Sequence, residues 1–321
     1  MTQTTTILPP IPSGGHGFRH EAVLYTGVDG LVATLVPWMR EGIESDETVV
    51  ALVTGRSGEA LRTALGSDAT GAHFADMAEA GRNPARIISV WRGLLADVRQ
   101  PGRPVRAVGE PVWPGRRPDE LIECRLHESL LNPAFDGEVD LWLRCPYDTG
   151  ALARDAFERV GRTHPLVVDD ARRAVGDYEG HPHPDAVLGE PLPPPPADVE
   201  EQVFTLATLR SLRDEVRDRA IQAGLGHQRV RDVVLAVFEV ASNSVLHGGG
   251  GGTWLSWETG TSVVFEVHDS GHIRDPLVGR CHPPPSQVAG RGLWLVNELC
   301  DLVQLRSSPA GTVVRLHIDC G

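Results

Sequence analysis

Four consecutive prolines, Pro193 to Pro196, stand inside "HPHPDAVLGEPLPPPPADVEE" (His181–Glu201). No helix interior and no central strand accommodates such a run, because each ring fixes φ and removes an amide donor. Extended polyproline II remains, and it acts as a semi-rigid spacer. The run therefore forbids one continuous core. A length of 321 residues also favours two domains over one. We expect a disordered tail over 1–15, a first domain over 16–170, a linker over 171–198 and a second domain over 199–321. His181 and His183 form a His-x-His pair, but the linker offers no further ligands nearby, and the pair reads as solvated loop.

The net charge of −13 argues against a general nucleic-acid-binding surface. No apolar run approaches the length of a membrane span, and MTQTTTILPP lacks a basic-then-apolar signal pattern. The expectation is a soluble, cytoplasmic protein without membrane or direct nucleic-acid contact. Cys124, Cys145, Cys281, Cys300 and Cys320 are an odd count without CxxC spacing, against both a disulfide framework and a zinc ribbon. All 30 basic residues are arginine. A chain without lysine has no P-loop lysine and no β3 lysine of a eukaryotic-type protein kinase.

The first domain alternates strand and helix patterns. "EAVLYT" (Glu21–Thr26), the apolar "TVVALVT" (Thr48–Thr54), "VRAVGE" and "VDLWLRC" read as strands. "GLVATLVPWMREGI" and "ARIISVWRGLLADVR" read as helices, the former kinked or broken at Pro37. The result is an α/β layered domain. "TGRSGEAL" (Thr54–Leu61) lies where a Walker loop would, but lacks the GK[ST] ending. "HESLLNP" (His127–Pro133) is one residue too long for the phospho-accepting box of sensor histidine kinases, and no dimerising helical hairpin is evident.

In the second domain, Val230, Val233, Val234, Val237, Val240 and Ala241 follow helical spacing. Glu239, Asn243 and His247 share one flank of that helix at i, i+4 and i+8. Five glycines, Gly248 to Gly252, follow and permit close approach to a ligand. Asp269-Ser270-Gly271 ends a strand. Gly290-Arg291-Gly292-Leu293 opens a helix whose first turn would present free N–H groups to phosphate. Gly311-Thr312 opens a final strand.

Together and in this order, the four clusters resemble the GHKL ATP-binding fold shared by gyrase, heat-shock chaperones, sensor histidine kinases and anti-sigma-factor kinases. Glu239-x-x-x-Asn243 looks like its N box, Asp269-x-Gly271 its first glycine box, and Gly290 to Leu293 its second. The E-x-x-x-N-x-x-x-H form is similar to the anti-sigma serine/threonine kinases of the RsbW type. The resemblance implies a Bergerat-type α/β sandwich that binds ATP and Mg²⁺. It implies Asn243 as the Mg²⁺ ligand, Asp269 supported by Thr312 at the adenine amino group, and Gly271 passing the base. Gly290, Arg291, Gly292 and Leu293 would approach the phosphates. Glu239 would be the general base, and His247 either lines the site or helps to end the helix. The implied partners are a sigma factor and a STAS-type anti-anti-sigma antagonist; homodimerisation is left open. Two departures stand out: Ile273 replaces the usual second glycine of the first box, and Pro283 to Pro285 stiffen the lid.

"RHEAVLY", "GEPVW" (Gly109–Trp113), "CPYD" (Cys145–Asp148) and "THP" (Thr163–Pro165) resemble the MEDS sensory domain, which is related to RecA-like folds without a working Walker loop. That resemblance implies a small-molecule ligand, with His20, Glu110, Trp113, Cys145, Tyr147 and Asp148 as candidate pocket residues. The alternatives kept beside the kinase are a non-catalytic ATP-binding partner switch and, less favoured, a sensor histidine kinase.

Overall fold

A computed structural model describes residues 17–137, 139–158, 160–169, 172–174, 178, 180, 186, 188–283 and 290–320. The expected tail over 1–15, the His181/His183 pair, and Pro284 and Pro285 of the lid lie outside the described residues. Contacts divide the chain into two compact units, Met1–Arg82 with Val90–Pro182, and Asn83–Ser89 with His183–Gly321.

The first unit is built on a seven-stranded sheet in the order β3-β2-β4-β5-β1-β6-β7. The strands are β1 (Phe18–Tyr25), β2 (Thr48–Val53), β3 (Ala72–Asp76), β4 (Val105–Gly109), β5 (Leu141–Asp148), β6 (Leu166–Val168) and β7 (Arg172–Ala174). All neighbours pair in parallel except β6 with β7. Helices α1 (Gly27–Glu44), α2 (Gly55–Leu65), α3 (Met77–Ala80), α4 (Ile87–Val98), α5 (Pro118–Phe135) and α6 (Arg154–Phe157) connect them. Every residue of β2 is buried, as a strand covered on both faces requires. Leu31, Leu35, Val36 and Met39 of α1 pack on Val49, Ala51 and Val53. The break considered at Pro37 does not occur, and α1 runs through it. Burial of Leu35 and Val36 before the proline, and of Trp38 and Met39 after it, outweighs one missing hydrogen bond.

The second unit has an antiparallel five-stranded sheet in the order β11-β12-β10-β9-β8. Its strands are β8 (Gln202–Thr205), β9 (Gly251–Glu258), β10 (Ser262–Asp269), β11 (Leu302–Ser308) and β12 (Gly311–Asp319). The long His227–His247 helix lays its valine stripe on β9, β10 and β12 and touches the Leu209–Gln222 and Gly292–Leu299 helices. The polyproline run is not free of this unit: Arg315 Nη2 donates to Pro193 O at 2.7 Å. Leu188 is buried as well.

The glycine run divides between a strand and a turn. Gly251 and Gly252 begin β9, where a Cβ on either would collide with the carbonyl oxygen of Phe204 or His268. Only Gly248 to Gly250 form the turn, with φ of 100° at Gly249 and 97° at Gly250. These glycines admit the protein's own neighbouring strands and loops.

Candidate nucleotide site

The His227–His247 helix carries Glu239 and Asn243 one turn apart. Gly292, the first residue of the Gly292–Leu299 helix, lies against both. A Cβ built there would stand 2.7 Å from Glu239 Oε2 and 3.4 Å from Asn243 Nδ2. A Cβ there would require the Glu239 carboxylate to turn aside. The Arg291 side chain does not cap the helix start, so the first-turn N–H groups are left to other acceptors. Gly290 turns with φ of 80°, and Leu293 packs against Gly279.

Asp269 ends β10, in register with Thr312 on β12. Ser244 Oγ donates to its Oδ2 at 2.6 Å, and the Gly271 amide donates to its Oδ1 at 2.7 Å. Thr312 Oγ1 donates to Gly271 O at 2.8 Å. Ser307 Oγ donates in turn to Thr312 Oγ1 at 2.8 Å and accepts from the Ile273 amide at 2.8 Å. This chain of bonds fixes the turn that follows β10. Gly248 completes it, since a Cβ there would stand 2.6 Å from Asp269 Oδ1.

The structure thus gathers the expected residues into two groups along one helix. Glu239, Asn243 and Gly292 form the first. Asp269, Gly271 and Thr312 form the second, joined by Gly248 of the glycine run and by Ser244 and Ser307, which sequence reasoning missed. His247 is exposed, and it meets the Gly271 turn through its carbonyl oxygen. The chemistry suits the implied ligands. An amide oxygen beside a carboxylate offers hard donors to Mg²⁺, and the amides of a helix start are suited to phosphate.

In the first unit, the six candidate pocket residues do not converge. Glu110, on the segment after β4, accepts from Thr54 N at 2.9 Å, Thr54 Oγ1 at 2.8 Å and Ser57 Oγ at 2.9 Å. The place where a Walker loop would hold phosphate therefore holds the protein's own carboxylate, and burial raises that carboxyl above its ordinary range. Asp148 accepts from Gly27 N at 3.1 Å and Gly150 N at 3.0 Å. Trp113 lies under the Arg116 guanidinium, 3.6 Å from the ring centroid. His20, Cys145 and Tyr147 sit elsewhere, around the buried Glu128 and His164. Burial, with His164 beside it, takes the His20 imidazole down to about 4. A cavity of about 210 Å³ is lined by Phe18, His20, Asn132, Asp136 and Tyr178 among others. Of the six expected residues only His20 reaches it. Among the described residues, no helix is long and apolar enough to cross a membrane.

Residues 19–165 match the MEDS model, the methanogen/methylotroph DcmR sensory domain. Residues 203–318 match the histidine kinase-like ATPase domain. No curated protein matches the chain. Among solved structures, the RsbU and RsbW domains of Rv1364c from Mycobacterium tuberculosis are similar at 20% identity with a TM-score of 0.28. The likeness covers 37% of this chain and 32% of that one, so the chain spans about a third of that relative's length. Acinetobacter baumannii histidine kinase AdeS is similar at 12% identity, over 38% of this chain and 68% of that one, with a TM-score of 0.24. With the parallel sheet of the first unit and the antiparallel sheet and helices of the second, the chain joins a MEDS sensory domain to a GHKL-type, histidine kinase-like ATPase domain.

Proposed function

We propose that this chain is a cytoplasmic signalling regulator whose second domain binds ATP with Mg²⁺ and acts as an anti-sigma-factor serine/threonine kinase of the RsbW type. One observation carries the reading: Glu239 and Asn243 both abut Gly292, the first residue of a helix that the Arg291 side chain does not cap. In this reading, the amides of Gly292 and Leu293 hold phosphate oxygens, with Gly290 and Arg291 beside them. The Asn243 amide oxygen and the phosphates hold Mg²⁺, which neutralises phosphate charge when bound. Asp269, oriented by Ser244 and Gly271, accepts from the adenine amino group, and Thr312 supports the turn. His247 is assigned to the edge of the phosphate end. Glu239 takes the proton from an incoming serine or threonine hydroxyl.

The partners are a sigma factor, which the domain sequesters, and a STAS-type antagonist, which it phosphorylates. The MEDS domain supplies control through a small-molecule ligand. One observation favours a second reading, a partner switch without phosphotransfer. Ile273 stands where the first glycine box has its second glycine, and its branched side chain narrows the backbone freedom that a glycine hinge would give, while its amide is tied to Ser307.

Incubating the full chain with γ-labelled ATP, Mg²⁺ and STAS-domain candidates from the same genome separates these readings. Label on a serine or threonine of the antagonist is the expected result. ATP binding without transfer to any candidate selects the partner switch. Label on a histidine of the chain itself selects a histidine kinase.

A further inference from the structure

Four side chains from four separate segments meet inside the first domain: His20 on β1, Glu128 on α5, Cys145 on β5 and His164 just before β6. Each is at most 2% exposed. Their ligand atoms all lie within 4.8 Å of one another. Both imidazoles turn Nε2 to the same carboxylate oxygen, Glu128 Oε2, at 3.0 Å each. His20 Nε2 is also 3.4 Å from Cys145 Sγ.

Hydrogen bonds behind the rings decide what those nitrogens carry. Asn132 Nδ2 donates to Thr163 O at 2.8 Å, so its Oδ1 is the atom facing His20 Nδ1 at 3.2 Å. An amide oxygen only accepts, and His20 Nδ1 is therefore the protonated nitrogen. His164 Nδ1 lies 2.9 Å from Val160 O, and the same logic protonates it. Each neutral ring then points the lone pair of Nε2 inward, at a carboxylate with no proton to share. Charging both rings instead would bury two imidazolium ions with centroids 3.9 Å apart, a like-charge pair. One protonated ring would relieve the repulsion, but only a metal ion uses both Nε2 lone pairs, the carboxylate and the Cys145 sulfur together.

We propose that His20, Glu128, Cys145 and His164 form a closed site for one divalent transition-metal ion of the zinc class. Two neutral imidazoles, one carboxylate and one thiolate carry a total charge that a divalent ion cancels, so the loaded cluster is neutral where no water reaches it. Imidazole and thiolate favour zinc over magnesium or calcium. Tetrahedral bonds of about 2.0–2.3 Å need donor atoms on the order of 3.3–3.8 Å apart, a small adjustment of the present cluster. Asn132 and Val160 orient the rings from behind, as metal-binding histidines require. Loading transfers the Cys145 thiol proton to solvent. Four protein donors leave no open position, so the ion ties β1, β5, α5 and the approach to β6 together. The cavity of about 210 Å³ beside His20 and Asn132 places any occupant against the outer shell of that ion. This site is independent of the nucleotide-site reading.

The untagged full chain, purified with a chelator and dialysed, should bind one equivalent of Co²⁺. The complex should show the intense visible bands of tetrahedral Co²⁺ and a near-ultraviolet thiolate-to-metal band, and Zn²⁺ should displace both. Cys145→Ser should lose the thiolate band. Cys281→Ser combined with Cys320→Ser leaves the cluster intact and should keep every band. If Cys145→Ser does not fold, the parent and the double variant still decide. Absence of tetrahedral bands in the parent, or their loss in the double variant, would overturn the assignment.

Discussion

Ser244 donates to Asp269 across 2.6 Å and so ties the long helix to the end of β10. With the Gly271 amide on the other oxygen, the carboxylate is held by two donors from different elements. Its remaining lone pairs therefore have set directions before any ligand arrives. Ser244→Ala keeps the fold and frees one oxygen. We expect a loss of about 1 kcal/mol in adenine-nucleotide binding, or roughly fivefold in affinity. Asp269→Asn should cost more, about 1–3 kcal/mol, because it places a donor where the adenine amino group also donates. Calorimetry with ATP and Mg²⁺ reads both. Equal affinities for the parent and both variants would remove Asp269 from the adenine site.

Gly292 is the contact point between the two boxes. A methyl group there would stand 2.7 Å from Glu239 Oε2, inside van der Waals contact. Gly292→Ala must therefore push the helix start away from Glu239 and Asn243 or turn the Glu239 side chain out. The clash is with the end of a flexible side chain, so we expect little change in stability and a clear loss of nucleotide affinity. Thermal unfolding with and without ATP separates the two effects. A variant that melts like the parent and binds ATP as tightly would show that the contact is slack.

Much of this site was legible because it lies on local patterns. Glu239 and Asn243 are one helical turn apart, Asp269 and Gly271 share a turn, and Gly292 opens a helix. Sequence spacing alone exposes such relations. Ser244 was missed because its partner lies 25 residues away on another element. From the sequence, a serine beside Asn243 is only a mediocre helix former. Glu128 and His164 were missed for the same reason. Glu128 was visible only as part of a near-miss phospho-acceptor box, while the partners that give it meaning come from β1, β5 and the approach to β6. The glycine run was only partly legible, because composition reports close approach without saying to what. Here Gly251 and Gly252 approach neighbouring strands.

Glu266, buried on β10, is bonded by His268 at 2.7 Å and by Arg315. Burial alone would raise its carboxyl, but these two partners hold it below the ordinary value of 4.5. A group whose folded value is depressed contributes stability above its unfolded value and loses it as pH falls through the folded one. The second domain should therefore weaken as pH drops below about 4.5. Glu266→Gln should be less stable at neutral pH, by about 1–3 kcal/mol, and should show a shallower acid decline. Melting curves from neutral to acid pH on both proteins test this. A parallel decline in the two would assign the acid sensitivity to other carboxylates.

Glu239 is the residue on which the kinase reading stands. It is half-buried, one turn before Asn243, with its Oε2 turned to the Gly292 backbone. In the kinase reading, a base and a metal ligand so placed would face the same terminal phosphate. Glu239→Gln keeps the shape and a hydrogen-bonding group but cannot take a proton. It should bind ATP as the parent does and phosphorylate an antagonist about 10²–10⁴-fold more slowly. Asn243→Ala should lose Mg²⁺-dependent binding as well, which separates a metal ligand from a base. If both residues were only a polar helix edge, each substitution would shift stability slightly and leave transfer unchanged. Single-turnover transfer rates at saturating ATP distinguish the cases. Parent-like transfer by Glu239→Gln would remove Glu239 as the base, whatever the nucleotide affinity.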